Sequence, residues 1–290
     1  MAKSKKLIKI VLPIILATVF GIAAVFIGCT KNEPLPEGMM YVDFIDVGQG
    51  DCTLISTTDA VILIDAGEAE NVNNVIDFLK HREIKKIDYC IATHPHSDHI
   101  GGLPTVFDHF EVDTVIMPEI PEEIEPTTKV YEKFIDGLEK VENVIYATPG
   151  DKFECGSLNI EILGPTGEYD DLNNYSVVSK ITFGETSVIV TGDAENPAEK
   201  DMLDVKNVDY SADILKLGHH GSSTSSSKDW LRAVNPKYAV ISCGIDNKYN
   251  HPHKETIIKL DDLKFEYYRT DLVGNICFES DGKNITYRKK

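Results

Sequence analysis

Positive charge is scarce in this chain. Its 290 residues hold 29 Lys and Arg against 47 Asp and Glu, a formal net charge of −18. Four of the basic residues, Lys3, Lys5, Lys6 and Lys9, fall in the first 29 positions, which hold no acid. The remainder therefore carries 25 basic and 47 acidic residues, net −22. A surface that acidic repels nucleic acid and anionic lipid at long range. It also lacks the basic, aromatic-interleaved stripe that grips a polynucleotide. A phosphate substrate must then be drawn in locally, by metal ions or oriented backbone amides. No CxxC pair is present, which excludes a zinc knuckle. There is no internal repeat, no low-complexity block beyond Ser222–Ser227, and no Pro/Gly-rich linker. The composition, 42% hydrophobic and 26% charged, excludes a disordered or collagen-like chain.

The one long apolar run spans Ile10 to Gly28, behind the basic start. It reads as a signal peptide or an N-terminal membrane anchor over residues 1–28, and its 19 uncharged residues are long enough to span a bilayer. Cys29 follows Gly28, and the polar, Pro-rich residues 29–38 form a short tether. The run Phe26-Ile27-Gly28-Cys29 resembles a bacterial lipoprotein signal, which implies lipidation at Cys29. Both readings place the protein outside the cytoplasmic membrane, tethered or secreted. The remaining cysteines, Cys52, Cys90, Cys155, Cys243 and Cys277, are scattered, mostly in apolar runs, and read as buried free thiols.

Residues 39–290 read as one α/β domain of stacked layers, because strand-like and helix-like runs alternate throughout. Strands are expected at Val61–Asp65, Ile87–Thr93, Thr114–Met117, Ile214–Leu217 and Tyr238–Cys243. Longer runs, Phe153–Gly164 and Val177–Thr191, read as strands broken at Gly156 and Gly184. Helices are expected at Asn71–Lys80, Lys129–Val141, Ala198–Val205, Ser227–Val234 and Lys254–Leu263. Three closing strands centre on Glu266–Arg269, Asn275–Glu279 and Ile285–Arg288.

The most informative stretch runs from Thr93 to Gly102. Between His94 and His99 it packs His94, His96, Asp98 and His99 into six residues, after an apolar strand and before two glycines. Loops at strand ends are where α/β folds keep their chemistry. Imidazole and carboxylate are ligands for first-row metals, and two such ions about 3.5–4 Å apart form a hydrolytic site.

This HxHxDH stretch resembles the metallo-β-lactamase superfamily, and further matches fall in order along the chain. Val61–Gly67 is similar to the family's early strand ending in Asp-x-Gly, which implies that Asp65 supports the ligands from behind. Val188–Asp193 is similar to the strand that delivers a metal-bridging aspartate, Asp193. Leu215–Ser222 is similar to the late loop that delivers the last histidine. The resemblance implies a four-layer αβ/βα sandwich with metals at one edge. More narrowly, the runs Phe44–Asp51, Asn173–Val178, His219–Ser222, Asn250–His253 and Tyr268–Ile276 resemble the extracytoplasmic hydrolase domain of ComEC-type competence proteins. No permease segment accompanies them.

By that resemblance the first of two divalent ions, zinc or manganese, takes His94, His96 and Asp193, with water or Ser176 at an open position. The second takes Asp98, His99, Asp193 and one of His219 and His220. His220, beside the glycine turn, is preferred; His219 then faces substrate as a proton donor, and the sequence leaves the reverse open. Asp98 also accepts a hydrogen bond from the attacking water. The one histidine between the HxHxDH loop and Asp193 is His109, expected to be structural or on the surface, with Asn174 and Ser176 offered instead. Asp46, Gln49 and Asp51 lie in a glycine loop that reads equally as a simple turn or as a roof with Gln49 and Asp51 near substrate. Ser222–Ser227 reads first as a helix N-cap and solvated loop, and second as a phosphate contact. His251 is expected to reach the active edge. The acidic run Glu119–Glu125 reads as a solvated loop.

These readings lead to metal-dependent hydrolysis of a phosphodiester or similar ester of modest size. Extracellular DNA is the first alternative, and a non-catalytic, metal-stabilised surface module is the second.

Overall fold

The computed structural model describes residues 35–288. The apolar run and Cys29 lie outside them. Fifteen strands occur in the described residues. They are β1 (Met40–Phe44), β2 (Thr53–Ser56), β3 (Val61–Ile64), β4 (Lys86–Ile91), β5 (Glu111–Met117), β6 (Asn143–Tyr146), β7 (Lys152–Cys155) and β8 (Leu158–Gly164). Then follow β9 (Val178–Phe183), β10 (Thr186–Val190), β11 (Ile214–Lys216), β12 (Tyr238–Ile241), β13 (Glu266–Arg269), β14 (Ile276–Ser280) and β15 (Ile285–Tyr287). One sheet has the order β15-β14-β1-β2-β3-β4-β5-β6 and the other β13-β12-β11-β10-β9-β8-β7.

Each sheet changes character across its width. The pairs from β1 to β3 are antiparallel, and those from β3 to β6 are parallel. In the second sheet β7 to β10 are antiparallel, and β10 to β13 parallel. Away from the edge strands β6 and β13, the parallel strands have buried residues on both faces, so they read as apolar runs rather than alternating ones. In β3, Ile62 and Ile64 enter the core between the sheets while Leu63 faces outward. In β10, Val188 and Val190 point inward and Ile189 outward.

Helices cover both outer faces. The helix Val72–His81 packs Val75, Ile76 and Leu79 against the first sheet. Trp230, Leu231 and Leu260, from the helices Lys228–Val234 and Lys254–Leu263, cover the second. Helices of seven to ten residues are marginal alone. Burial of each large apolar side chain, worth about 1.5–3 kcal/mol, holds them in place. The result is the expected four-layer α/β sandwich.

The hairpin breaks fall where expected: Gly156 and Gly184 have φ of 53° and 59° and join β7 to β8 and β9 to β10. The expected helix Lys129–Val141 ends at Gly137 and continues as a single tight turn over Leu138–Lys140. The sequence reading assigned none of β1, β2 and β6. β2 has only two apolar residues, and β6 is largely exposed at a sheet edge. Cys52, Cys90, Cys155 and Cys243 are buried free thiols. Cys277 departs from that expectation and is disulfide-bonded. Among the described residues no helix is long and apolar enough to cross a membrane.

Candidate metal centre

The C-terminal ends of parallel strands from both sheets meet at one edge, the place where open α/β sheets bind ligands. β3 leads directly into Asp65, a residue with φ of 58° and no exposed surface. Its carboxylate accepts from Thr93 N (2.8 Å) and Thr93 Oγ1 (2.7 Å), and pairs with His99 Nδ1 (2.7 Å). Those contacts tie the start of the His94–His99 loop to β3. They also fix the His99 ring so that Nε2 faces away from Asp65, as a carboxylate behind a metal-binding histidine does.

β10 leads through Gly192 to Asp193. Gly192 has φ of 52°, and a Cβ there would lie 2.8 Å from Thr93 Cβ and 2.9 Å from Ser176 Oγ. Only glycine allows this approach. Asp193 then reaches His99 Nε2 (3.2 Å), His220 Nε2 (3.4 Å), His219 Nε2 (3.8 Å) and His94 Nε2 (3.9 Å). His94 Nε2 lies 3.0 Å from His96 Nδ1, and Asp98 Oδ2 lies 3.2 Å from His220 Nε2. All six expected ligand residues are therefore gathered in one place.

β11 leads to His219 and His220, which adopt consecutive left-handed conformations (φ 49° and 53°). That backbone costs non-glycine residues about 1–2 kcal/mol each. It turns the two rings to different surroundings. His220 is buried, with Nδ1 3.0 Å from Ser242 O and Nε2 toward Asp98 and Asp193. His219 keeps a quarter of its side chain exposed, and Nδ1 lies 2.8 Å from Glu195 Oε1.

Charge is concentrated here. Burial opposes a charge on His99, yet Asp193 and Asp65 outweigh it and hold its pKa well above that of a free imidazole. His220 behaves likewise through Asp193 and Asp51. Burial, reinforced by His99, holds His94 well below the ordinary value, so it is neutral and ready to bind a metal. Burial opposes ionisation of Asp193, but His220 and His99 keep its carboxyl well below the usual range.

Asp51, His99, Asp193 and His220 place ligand atoms within 4.8 Å of one another. His99 Nε2, His220 Nε2 and Asp193 Oδ1 are buried and lack a hydrogen bond of acceptable alignment, although they lie close together. Buried polar atoms are ordinarily hydrogen-bonded. Atoms that crowd one another without bonding are arranged around a common point, and this nitrogen and oxygen donor set fits a divalent cation there.

The sequence matches the Metallo-beta-lactamase superfamily over residues 45–245. The chain belongs to that superfamily. It is 31% identical over 266 residues to ComE operon protein 3 of Bacillus subtilis, covering 85% of this chain and 34% of that protein. It is 30% identical over 264 residues to Recombination protein 2 of Haemophilus influenzae, covering 89% and 31%. Competence protein ComA of Neisseria gonorrhoeae is 28% identical over 253 residues, covering 86% and 33%. The chain thus spans about a third of the length of these relatives. Among solved structures, the metallo-beta-lactamase fold protein YhfI of Bacillus subtilis aligns with a TM-score of 0.54 at 14% identity, covering 83% of this chain and 99% of that one. CmlA, a diiron beta-hydroxylase from Streptomyces venezuelae, gives 0.56 at 19% identity, covering 84% and 55%. At such identities the likeness bears on the fold alone.

Within this metallo-β-lactamase fold, a cavity of about 620 Å³ opens over the cluster. His96, Asp98, Asp193, His219, His220, Gln49 and His251 line it. The rest of the wall includes Pro95, Pro126, Val130, Leu172 and Tyr249, and no Lys or Arg lines it. Burial, then the neighbouring His219, His220 and His253, lowers the His251 pKa to about 4.

Several expected substrate-side residues support the loops instead. Asp51 is buried in the floor, because Gly50 passes so close to Asp98 that a Cβ would lie 2.4 Å from Asp98 O. Ser176 Oγ accepts from Asp193 N (3.0 Å) and does not line the cavity, so it holds the backbone there. Asn174 Oδ1 accepts from Glu195 N and Ala198 N, fixing the start of the helix Asn196–Asp204. Asp46 Oδ1 accepts from Gly48 N within its own turn. Ser222 Oγ pairs with Thr224 Oγ1, and Ser227 caps the following helix through Trp230 N. His109 lies on the exposed end of the helix Leu103–His109, bonded to Thr105 O. Sequence reasoning missed Glu195, Lys216 and Asn173, the last lining the cavity with Nδ2 3.5 Å from His219 Nδ1. Glu195 follows Asp193 by two residues and Lys216 ends an apolar strand, but neither position signals a partner.

Proposed function

We propose that this protein is a metal-dependent hydrolase that cleaves phosphodiester or similar ester bonds of modest size, held outside the cytoplasmic membrane by its N-terminal segment. His94, His96, Asp98, His99, Asp193 and His220 would hold two divalent ions, zinc or manganese. The chemistry that bound cations supply is Lewis acidity and a water acidified toward neutral pH.

The observation that carries this reading is the state of His219. It stands at the cavity edge of the cluster, with Nδ1 directed at Glu195 and Nε2 turned inward beside Asp193. A carboxylate behind an imidazole fixes its tautomer and orientation, so that Nε2 is aimed into the cavity where a leaving oxygen would need a proton donor. Asp98 borders the same space and offers an acceptor for the attacking water. The cavity wall is partly apolar, carries Asp98 and Asp193 and has no Lys or Arg, which suits a small ester better than a polyanion.

The names of the relatives favour a second reading, cleavage of DNA strands, since two are named for competence or recombination. A panel separates the two. The protein is loaded with Zn²⁺ or Mn²⁺ and assayed on bis-p-nitrophenyl phosphate, single-stranded DNA, double-stranded DNA and carboxyl esters. Fastest turnover of the small diester supports the first reading, and fastest turnover of DNA the second. Asp193→Ala abolishes either activity. Metal uptake with no turnover of any substrate would overturn both and leave a non-catalytic module.

A further inference from the structure

Lys216 ends β11 with no exposed surface, directly beneath the ligand cluster. A buried ammonium group persists only when it is paired and hydrogen-bonded. Lys216 Nζ donates to Gly192 O (2.9 Å), forms a close ion pair with Asp51 Oδ2, and lies 3.8 Å from Asp193 Oδ1. Gly192 O belongs to the peptide that leads into Asp193. Asp51 is itself buried, and its Oδ1 lies 3.3 Å from His220 Nδ1. Its Oδ2 lies 3.8 Å from His99 Nδ1. Asp51 thus faces the Nδ1 edge of His220 beside Ser242 O, and more distantly that of His99, which Asp65 holds, while the Nε2 atoms of both rings meet Asp193.

We propose that Lys216 is a positioning residue for the metal centre: its ammonium group pins the Asp51 carboxylate behind His220 Nδ1 and fixes the Gly192 carbonyl that leads into Asp193. The proposal rests on the metal-centre reading above. It explains why a glycine loop carries an aspartate under the HxHxDH loop rather than over it. The effect of Lys216 on metal affinity also has a telling sign. A fixed cation merely near a metal repels it, so removing the cation would tighten binding. A positioning residue does the opposite.

The test measures affinity for Zn²⁺ and Mn²⁺ by chelator competition, and the absorption spectrum of the Co²⁺ form, in the full chain. Lys216→Met and Asp51→Asn are each expected to weaken binding 10- to 100-fold, as loss of a partner behind a metal ligand does, and to shift the cobalt spectrum. The double variant is expected to lose about as much as the worse single one, because the pair acts as a unit. If Lys216→Met does not fold, the double variant, which buries no unpaired charge, carries the test. Unchanged or tighter binding with a wild-type cobalt spectrum, in Lys216→Met or in the double variant, overturns the proposal. Wild-type protein that takes up no metal overturns the metal-centre reading itself, a different result.

Discussion

Asp65→Ala tests the architecture of the site most directly. The Asp65 carboxylate has no exposed surface and serves Thr93 N, Thr93 Oγ1 and His99 Nδ1. Truncation leaves these buried groups without their acceptor, at about 1–3 kcal/mol for each unsatisfied group. Partial relaxation brings the expected loss to about 3–5 kcal/mol, the range for breaking a buried charged network. That is a large share of the roughly 5–15 kcal/mol that holds an ordinary domain together. For a chain of this size it lowers Tm by about 6–20 °C. The His99 ring also loses its anchor, so metal affinity is expected to fall about 10- to 100-fold. Scanning calorimetry of the metal-free protein measures the first effect and chelator competition the second. Thr93→Val, which removes one of the three contacts, is expected to cost about 1 kcal/mol. An Asp65→Ala protein that melts within about 2 °C of wild type and binds metal normally would refute the reasoning, since about 2–4 °C is the shift for a single kcal/mol.

Three further expectations follow from the geometry. Gly192→Ala forces a side chain into left-handed backbone against Thr93 and Ser176; a stability loss of about 1–3 kcal/mol and displaced metal ligands are expected by denaturant titration, and a wild-type midpoint would contradict this. Glu195→Gln removes the carboxylate behind His219; under the hydrolase reading kcat on an alkyl phosphodiester falls about 100-fold or more with KM little changed, while a p-nitrophenol leaving group, which needs no proton, shows little loss. Equal losses on both substrates would remove His219 from the acid role. Because the pKa values of His99 and His220 lie well above that of a free imidazole, the metal-free protein carries those protons through neutral pH. Their ion pairs stabilise the metal-free fold below about pH 6.5, and that contribution is lost as pH rises through the raised values. Cation uptake at pH 7 therefore releases protons, and affinity rises with pH. Indicator dye in weak buffer measures the release, and its absence would contradict the assignment.

Much of the fold was legible because its parallel strands are buried on both faces. Val61–Ile64, Val188–Val190 and Tyr238–Ile241 lie in unbroken apolar runs that a two-sided core requires. Strands β1, β2 and β6 were not assigned; β2 has only two apolar residues, and β6 is largely exposed at a sheet edge. The metal-ligand candidates of the HxHxDH loop were legible because four of them share six consecutive residues, and one loop must keep them together. Asp51 was seen, in a loop that reads equally as a turn or as a roof; its burial under the HxHxDH loop depends on the near contact of Gly50 with Asp98 O, a tertiary fact.

The sequence by itself determined the layered architecture, the family and the cluster of imidazoles and carboxylates, because strand pattern and ligand spacing are local properties of the chain. The tertiary structure decided which way each ring faces. His219 and His220 both adopt left-handed backbone and so turn to different surroundings, which residue type does not forecast. The Lys216–Asp51 pair joins residues 165 positions apart, and Glu195 reaches His219 across 24. Such contacts arise only when two sheets bring their strand ends to a common edge, so no reading of neighbours along the chain contains them.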